Sequence, residues 1–199
     1  MSNDGVNTGR RRVLTALTSA VGAAGVVGAA VPFVGSWNPS DKAKAAGAPV
    51  EVNISKLAPG QMVTVAWRGK PVYVVRRTAE VLASLKKVEP NLRDPNSDDS
   101  VQPQYAKNEF RAIKDEISIL LGLCTHLGCA PTYRPEVGAE DLSSAGNEWL
   151  GGFFCRCHGS KYDLAGRVFF GVPAPINLEV PPHKYVSDNV IVIGEDQEA

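Results

Sequence analysis

Residues 1–12 are polar, and from Val13 to Ser40 the chain carries no charged residue. The apolar part, Val13 to Trp37, is about as long as the 20 or so residues a helix needs to span a bilayer. Gly22, Gly25 and Gly28 recur with alanines among them, and small residues let a second helix approach closely. Trp37 stands where an interfacial aromatic belongs. From Val50 the pattern turns to alternation, in Val50–Ile54, Met62–Trp67 and Pro71–Arg76, which predicts strands separated by turns at Pro59-Gly60 and Arg68-Gly69-Lys70. Thr78 to Lys87 predicts a short helix capped by Thr78, with Val81, Leu82 and Leu85 on one face. Glu89 to Gln104 is polar with three prolines and reads as a long surface loop. Strands are expected again at Glu116–Gly122, Phe153-Phe154, Val168–Phe170 and Val190–Ile193, with a loop insertion from Pro131 to Gly151.

Four segments follow: a tail over 1–12, a transmembrane helix over 13–37, a linker over 38–49 and a mostly β head over 50–199. The linker, NPSDKAKAAGAP, holds too few consecutive helix formers for a stable helix and is expected to be mobile. The head is long enough for one core with a nested subdomain. The apolar run is long for the core of a cleaved secretory signal, which favours an uncleaved anchor. The arginines 10–12 would then stay in the cytoplasm and the head would face outward. The chain has 21 basic and 21 acidic residues, which leaves no basic excess and argues against a nucleic-acid partner.

All four cysteines and two of the three histidines fall in two short boxes, Cys124-Thr-His126-Leu-Gly-Cys129 and Cys155-Arg-Cys157-His158-Gly-Ser160-Lys-Tyr162-Asp163. Soft sulfur and imidazole donors gathered in two loops point to one metal site. C-x-H in the first box and C-x-x-H in the second offer Cys124, His126, Cys155 and His158. That set suits a 2Fe–2S cluster in which two histidines replace two cysteines on one iron. A structural zinc uses the same donor types, and spacing alone leaves that open. Cys129 and Cys157 remain, one per box. A disulfide between them would tie the loops over the cluster, closing about 27 residues for roughly 3–4 kcal/mol. Such a bond persists only in an oxidising compartment. Hydroxyls at Ser160 and Tyr162 could donate to cluster or cysteine sulfur and raise the potential, a tuning that zinc does not need. The plainer reading is a turn serine and a packed tyrosine.

CTHLGC followed by CRCHGSKYD resembles the Rieske iron–sulfur subunits of cytochrome bc complexes, whose second box usually reads CPCHGSxYD. Arg156 stands at the usual proline and leaves the four ligands in place. Gly171-Val172-Pro173-Ala174-Pro175 resembles that family's proline loop, Gly-Pro-Ala-Pro, with Val172 inserted. Arg10-Arg11-Arg12-Val13-Leu14 resembles a twin-arginine export signal, which suits a protein that acquires its cluster before crossing the membrane folded. The resemblance implies an all-β fold: a Rieske-type antiparallel β-sandwich with a cluster-binding subdomain over about 118–175, tethered by one N-terminal transmembrane helix. It implies one 2Fe–2S cluster and an electron-transfer role in quinol–cytochrome c oxidoreductase. His158 would receive the quinol's hydrogen bond, with His126 as second exposed ligand, and residues 38–49 would be a hinge. Expected partners are a cytochrome b and a cytochrome c-type subunit in a dimeric complex. The expected location is a bacterial inner membrane, with the head in the periplasm. Leu127 lines either a docking surface or the core, and both readings stand. His183, with no box around it, reads as a surface residue. The Rieske subunit of arsenite oxidase and a zinc-stabilised binding module are the rival readings.

Overall fold

The computed structural model describes residues 5–143 and 148–196. It divides into a unit ending at Ala45 and a unit beginning at Ala46. In the first, helix α1 (Thr8–Gly35) runs for 28 residues, about 42 Å. The Asn7 side chain starts it by accepting the N–H of Arg10 at 3.0 Å. The helix therefore begins before the expected span and takes in all three arginines, because a good cap and helix-forming arginines set the start rather than the end of the polar tail. Within it, Thr15 and Thr18 return their hydroxyls to the carbonyls of Arg11 and Leu14 at 2.8 Å, so neither leaves a donor unspent. The helix is long and apolar enough to cross a membrane. In the expected linker, Asp41–Ala46 forms a short helix, α2, where Ser40 accepts the N–H of Ala43.

Among the described residues the head contains three antiparallel sheets of three strands each. The first sheet orders β1 (Val50–Asn53), β9 (Val190–Ile193) and β8 (His183–Ser187); the second orders β2 (Met62–Trp67), β3 (Lys70–Arg76) and β4 (Ile117–Leu121). Val52, Ile191 and Ile193 from the first pack with Trp67, Val72, Val74, Ile117, Ile119 and Leu121 from the second. Each such side chain, fully buried, contributes roughly 1.5–3 kcal/mol. The opposite face of β3 and β4 is buried too: Tyr73, Val75 and Leu120 join a second core with Leu85, Phe153, Tyr162 and Leu164. Period-2 alternation thus sends neighbouring residues of one strand into two different cores. The β2–β3 hairpin turns on Arg68 and Gly69, both with positive φ (51° and 72°), the conformation a two-residue turn of this hand demands. Helix α3 (Ala79–Val88) starts where expected, with the Thr78 side chain accepting the N–H of Val81.

The third sheet orders β5 (Thr132–Val137), β6 (Leu150–Cys155) and β7 (Ser160–Tyr162) and carries the second box. Strand β5 lies inside the expected loop insertion. Pro135 and a register shift between Arg134 and Val137 disguise it, since proline is admitted to a strand at such irregularities. Three further expectations fail. Val168–Phe170 forms only isolated bridges, because the N–H of Val168 is taken by the Asn177 side chain at 2.8 Å. The 89–104 stretch is not a plain surface loop. Leu92, Asp94 and Ser97 are buried, and the Asp94 carboxylate gathers the N–H groups of Asp98 and Asp99 and the hydroxyl of Ser100. His183 is buried rather than exposed, its Nδ1 2.8 Å from the carbonyl of Pro181 and its backbone bonded in both directions to the Tyr105 hydroxyl.

Candidate metal centre

The two boxes fold as the same turn. The N–H of Gly128 donates to the carbonyl of Cys124 at 2.8 Å, and that of Gly159 to Cys155 at 2.9 Å. Both glycines have φ of +81°, a backbone that a side chain rarely tolerates. Cys124 leaves the end of β4 and Cys155 ends β6, so two sheets fix the starting points. The loops are joined by a Cys129–Cys157 disulfide, 28 positions apart in sequence. Cys124 and Cys155 are free and buried. The rings of His126 and His158 meet edge to face, 4.8 Å between centroids. His126 is half-buried and His158 exposed.

Close approach of β6 and β7 within the third sheet depends on Gly152. A Cβ there would run into the carbonyl oxygen of Tyr162. With no side chain in the way, β7 brings the Tyr162 hydroxyl to 3.2 Å from the Cys124 sulfur. The same oxygen accepts the N–H of Thr125 at 3.1 Å and lies 3.1 Å from the Thr125 hydroxyl, which itself donates to the carbonyl of Ile176 at 2.7 Å. Ser160 accepts the N–H of Ala174 at 3.1 Å, which fastens the Pro173–Pro175 loop beside the second box, and its hydroxyl is within hydrogen-bonding reach of Cys124. Burial pushes the Cys124 thiol up, but hydrogen bonds from Tyr162, the backbone of His126, Cys155 and Ser160 together hold it below the ordinary thiol range. Burial raises Cys155 and, more strongly, Tyr162, so Tyr162 stays a protonated donor.

This donor set fits a thiolate- and imidazole-held metal group. Nδ1 of His126 is buried with no hydrogen-bond partner, an orphan that a metal bond would satisfy. Two free thiols face the same space. The sulfurs of Cys129, Cys155 and Cys157 also lie within 4.8 Å of one another, but two of these are spent in the disulfide and only Cys155 has a thiolate to offer. Leu127 is 71% exposed and so belongs to the surface, not the core.

Sequence reasoning missed a buried ionic cluster under the second box. Asp163 accepts the N–H groups of Ala165 and Arg167 and the Nε of Arg167, the last two at 2.7 Å. Arg167 reaches on to the carbonyl of Leu85 in α3 at 2.8 Å. Arg111 donates to the carbonyl of Ala165 and to Gln102, and Arg77 to the carbonyls of Phe110 and Leu164. Burial pushes Arg77 and Arg111 down to about 10, with Asp163 pulling each back up. Only the aspartate lies in a recognisable motif; the arginines come from distant segments, and no local pattern marks them.

The family model described as Rieske [2Fe-2S] domain matches residues 91–182, and one described as Ubiquitinol-cytochrome C reductase Fe-S subunit TAT signal matches residues 1–40. The ubiquinol-cytochrome c reductase iron-sulfur subunit of Allochromatium vinosum is 58% identical over 99% of this chain and 94% of its own length. That of Blastochloris viridis is 42% identical over 97% of each chain. A solved chain of a hyperthermophilic respiratory Complex III is 28% identical, covering 89% of this chain and 98% of its own, with a TM-score of 0.47.

Proposed function

Because this chain belongs to the Rieske iron–sulfur subunits of ubiquinol–cytochrome c reductase, we propose that Cys124, His126, Cys155 and His158 hold its 2Fe–2S cluster and that His158 meets the quinol. The chain is the electron-transfer subunit of a quinol–cytochrome c oxidoreductase. Bound, the cluster supplies one-electron transfer at a potential well above that of all-cysteine ferredoxins.

The observation that carries the ligand assignment is the pair of matched turns, which put two free buried thiols and two touching imidazoles in one place under a disulfide clasp. Cys124 and Cys155 supply thiolates from the buried side. His126, with its orphan Nδ1, and the exposed His158 supply imidazoles from the solvent side. The second ring nitrogen of His158 can then accept a hydrogen bond from a quinol hydroxyl and take up its proton. Tyr162 and Ser160 direct hydroxyls toward Cys124, and the loop held by Ser160 limits water on that side. Exposed Leu127, beside His126, lines the surface that meets the partner holding the quinol.

The remaining organisation follows the same reading. Helix α1 anchors the chain in a bacterial inner membrane, with Arg10–Arg12 on the cytoplasmic side after twin-arginine export and the head in the periplasm. Residues 38–49 form the hinge between anchor and head. The partners are a cytochrome b and a cytochrome c-type subunit in a dimeric complex. Iron and acid-labile sulfide analysis of the purified chain, with EPR of the reduced state, tests the ligand assignment through Cys124→Ser and His158→Ala. Both variants are expected to lose the native signal; a native signal in either overturns that ligand, and stoichiometric zinc in a colourless native protein overturns the site.

A further inference from the structure

The three loops around the proposed centre, residues 124–130, 155–160 and 170–176, contain one charged side chain, Arg156. It is exposed, as are Leu127, His158, Phe170 and Pro173 around the same centre. The next cation in the chain, Lys161, is half-buried and donates from Nζ to the carbonyl of Leu142 at 2.5 Å. Among the described residues Arg156 has no ion pair. Asp141, the carboxylate whose charge it feels, is held by Arg134 through hydrogen bonds of 3.0 and 3.1 Å. In the matched turns Arg156 occupies the place of Thr125. Thr125 turns inward to Tyr162 and Ile176, whereas Arg156 points to solvent and makes no hydrogen bond among the described residues.

We propose that Arg156 is a tuning charge for electron transfer: a permanent cation, adjacent in sequence to Cys155, that favours the reduced cluster and raises its midpoint potential. The proposal rests on the ligand assignment above. Two ferric irons, two sulfides, two thiolates and two neutral imidazoles carry no net formal charge, so the electron taken from quinol leaves one negative charge. A cation beside a ligand stabilises that charge and has no net charge to act on in the oxidised state. Proline, the usual residue in this family, supplies no charge. The attraction acts partly through water. For an illustrative separation of about 10 Å and an effective dielectric between bulk water and a protein surface, it changes the reduced-to-oxidised ratio about two- to fourfold. Since tenfold is about 59 mV for one electron, that is a shift of roughly 20–35 mV.

Redox titration of the full chain in detergent, read by EPR of the reduced cluster, tests this with Arg156→Gln, Arg156→Lys and Arg156→Glu. The expected result is a lower midpoint for Gln, about twice that drop for Glu, and the native value for Lys. The differences should shrink in about 1 M salt, where the Debye length falls to about 3 Å. A Lys variant that drops as far as Gln, or a Gln variant equal to native at low salt with its EPR signal intact, overturns the proposal. If the Glu variant fails to hold a cluster, the Gln variant at two salt concentrations decides alone. An absent signal in the native chain counts against the ligand assignment instead.

Discussion

Replacing Tyr162 by Phe removes one oxygen and leaves a buried ring of nearly the same shape, so its effect can be worked from the contacts of that oxygen. The hydroxyl has one proton. Its lone pairs already receive the N–H of Thr125, and the proton has two acceptors, the Cys124 sulfur at 3.2 Å and the Thr125 hydroxyl oxygen at 3.1 Å. Thr125 can accept because it spends its own proton on Ile176. The bond to sulfur is therefore shared, and its value lies toward the lower end for a hydrogen bond to a group gaining charge, about 1–1.5 kcal/mol. At about 1.36 kcal/mol and 59 mV per tenfold, the variant's midpoint should fall by roughly 45–65 mV. Quinol oxidation should slow in step, since a weaker oxidant draws the first electron less strongly. Loss of the oxygen also strands the N–H of Thr125, costing about 1–3 kcal/mol of stability if no water replaces it. Cluster content must therefore be matched by EPR before potentials are compared. A Tyr162→Phe protein with full cluster content and a native midpoint refutes the argument that this hydroxyl tunes the centre.

Replacing both Cys129 and Cys157 by serine should cost roughly 3–4 kcal/mol and release the cluster at temperatures where the native protein keeps it; melting followed at the cluster's visible absorption checks this, and an unshifted transition refutes the clasp. Gly152→Ala drives a Cβ into the Tyr162 carbonyl and should cost about 3 kcal/mol or more, leaving little cluster-loaded protein; a native yield with a native spectrum would show that β6 and β7 can move apart there without loss. Burial depresses the His183 pKa, so below about pH 6.5 the unfolded chain binds a proton that the folded one resists. Stability should then decline as pH falls through that range, until the folded value is passed, and His183→Gln should flatten this part of the curve in urea titrations; superimposable curves would exclude His183 as the source.

Pattern along the chain was enough for the two cysteine–histidine boxes, the long apolar segment and the strands β1, β2, β3, β4 and β9, but not for β8, whose five residues are too polar to announce a strand. These are local signals: ligand spacing inside a loop, a run without charge, and alternation strong enough to set a strand's faces. Even there, local chemistry bounded rather than placed the elements, as the Asn7 cap does in starting α1 before the apolar run. The rest had to wait for packing, because it turns on partners far apart in the chain. Strand β5 exists because β6 pairs with it across a proline-bearing irregularity, and Val168 is kept out of a ladder by the side chain of Asn177. Arg77, Arg111 and Arg167 become interior residues only when the fold delivers Asp163 and a set of backbone carbonyls to them. Likewise the boxes name the donors, but the shared turn geometry, the Tyr162 hydroxyl above Cys124 and the exposure of Arg156 appear only when two sheets bring the loops together. Spacing along a chain encodes which atoms can bind; distance and burial in the folded state decide how strongly each one is felt.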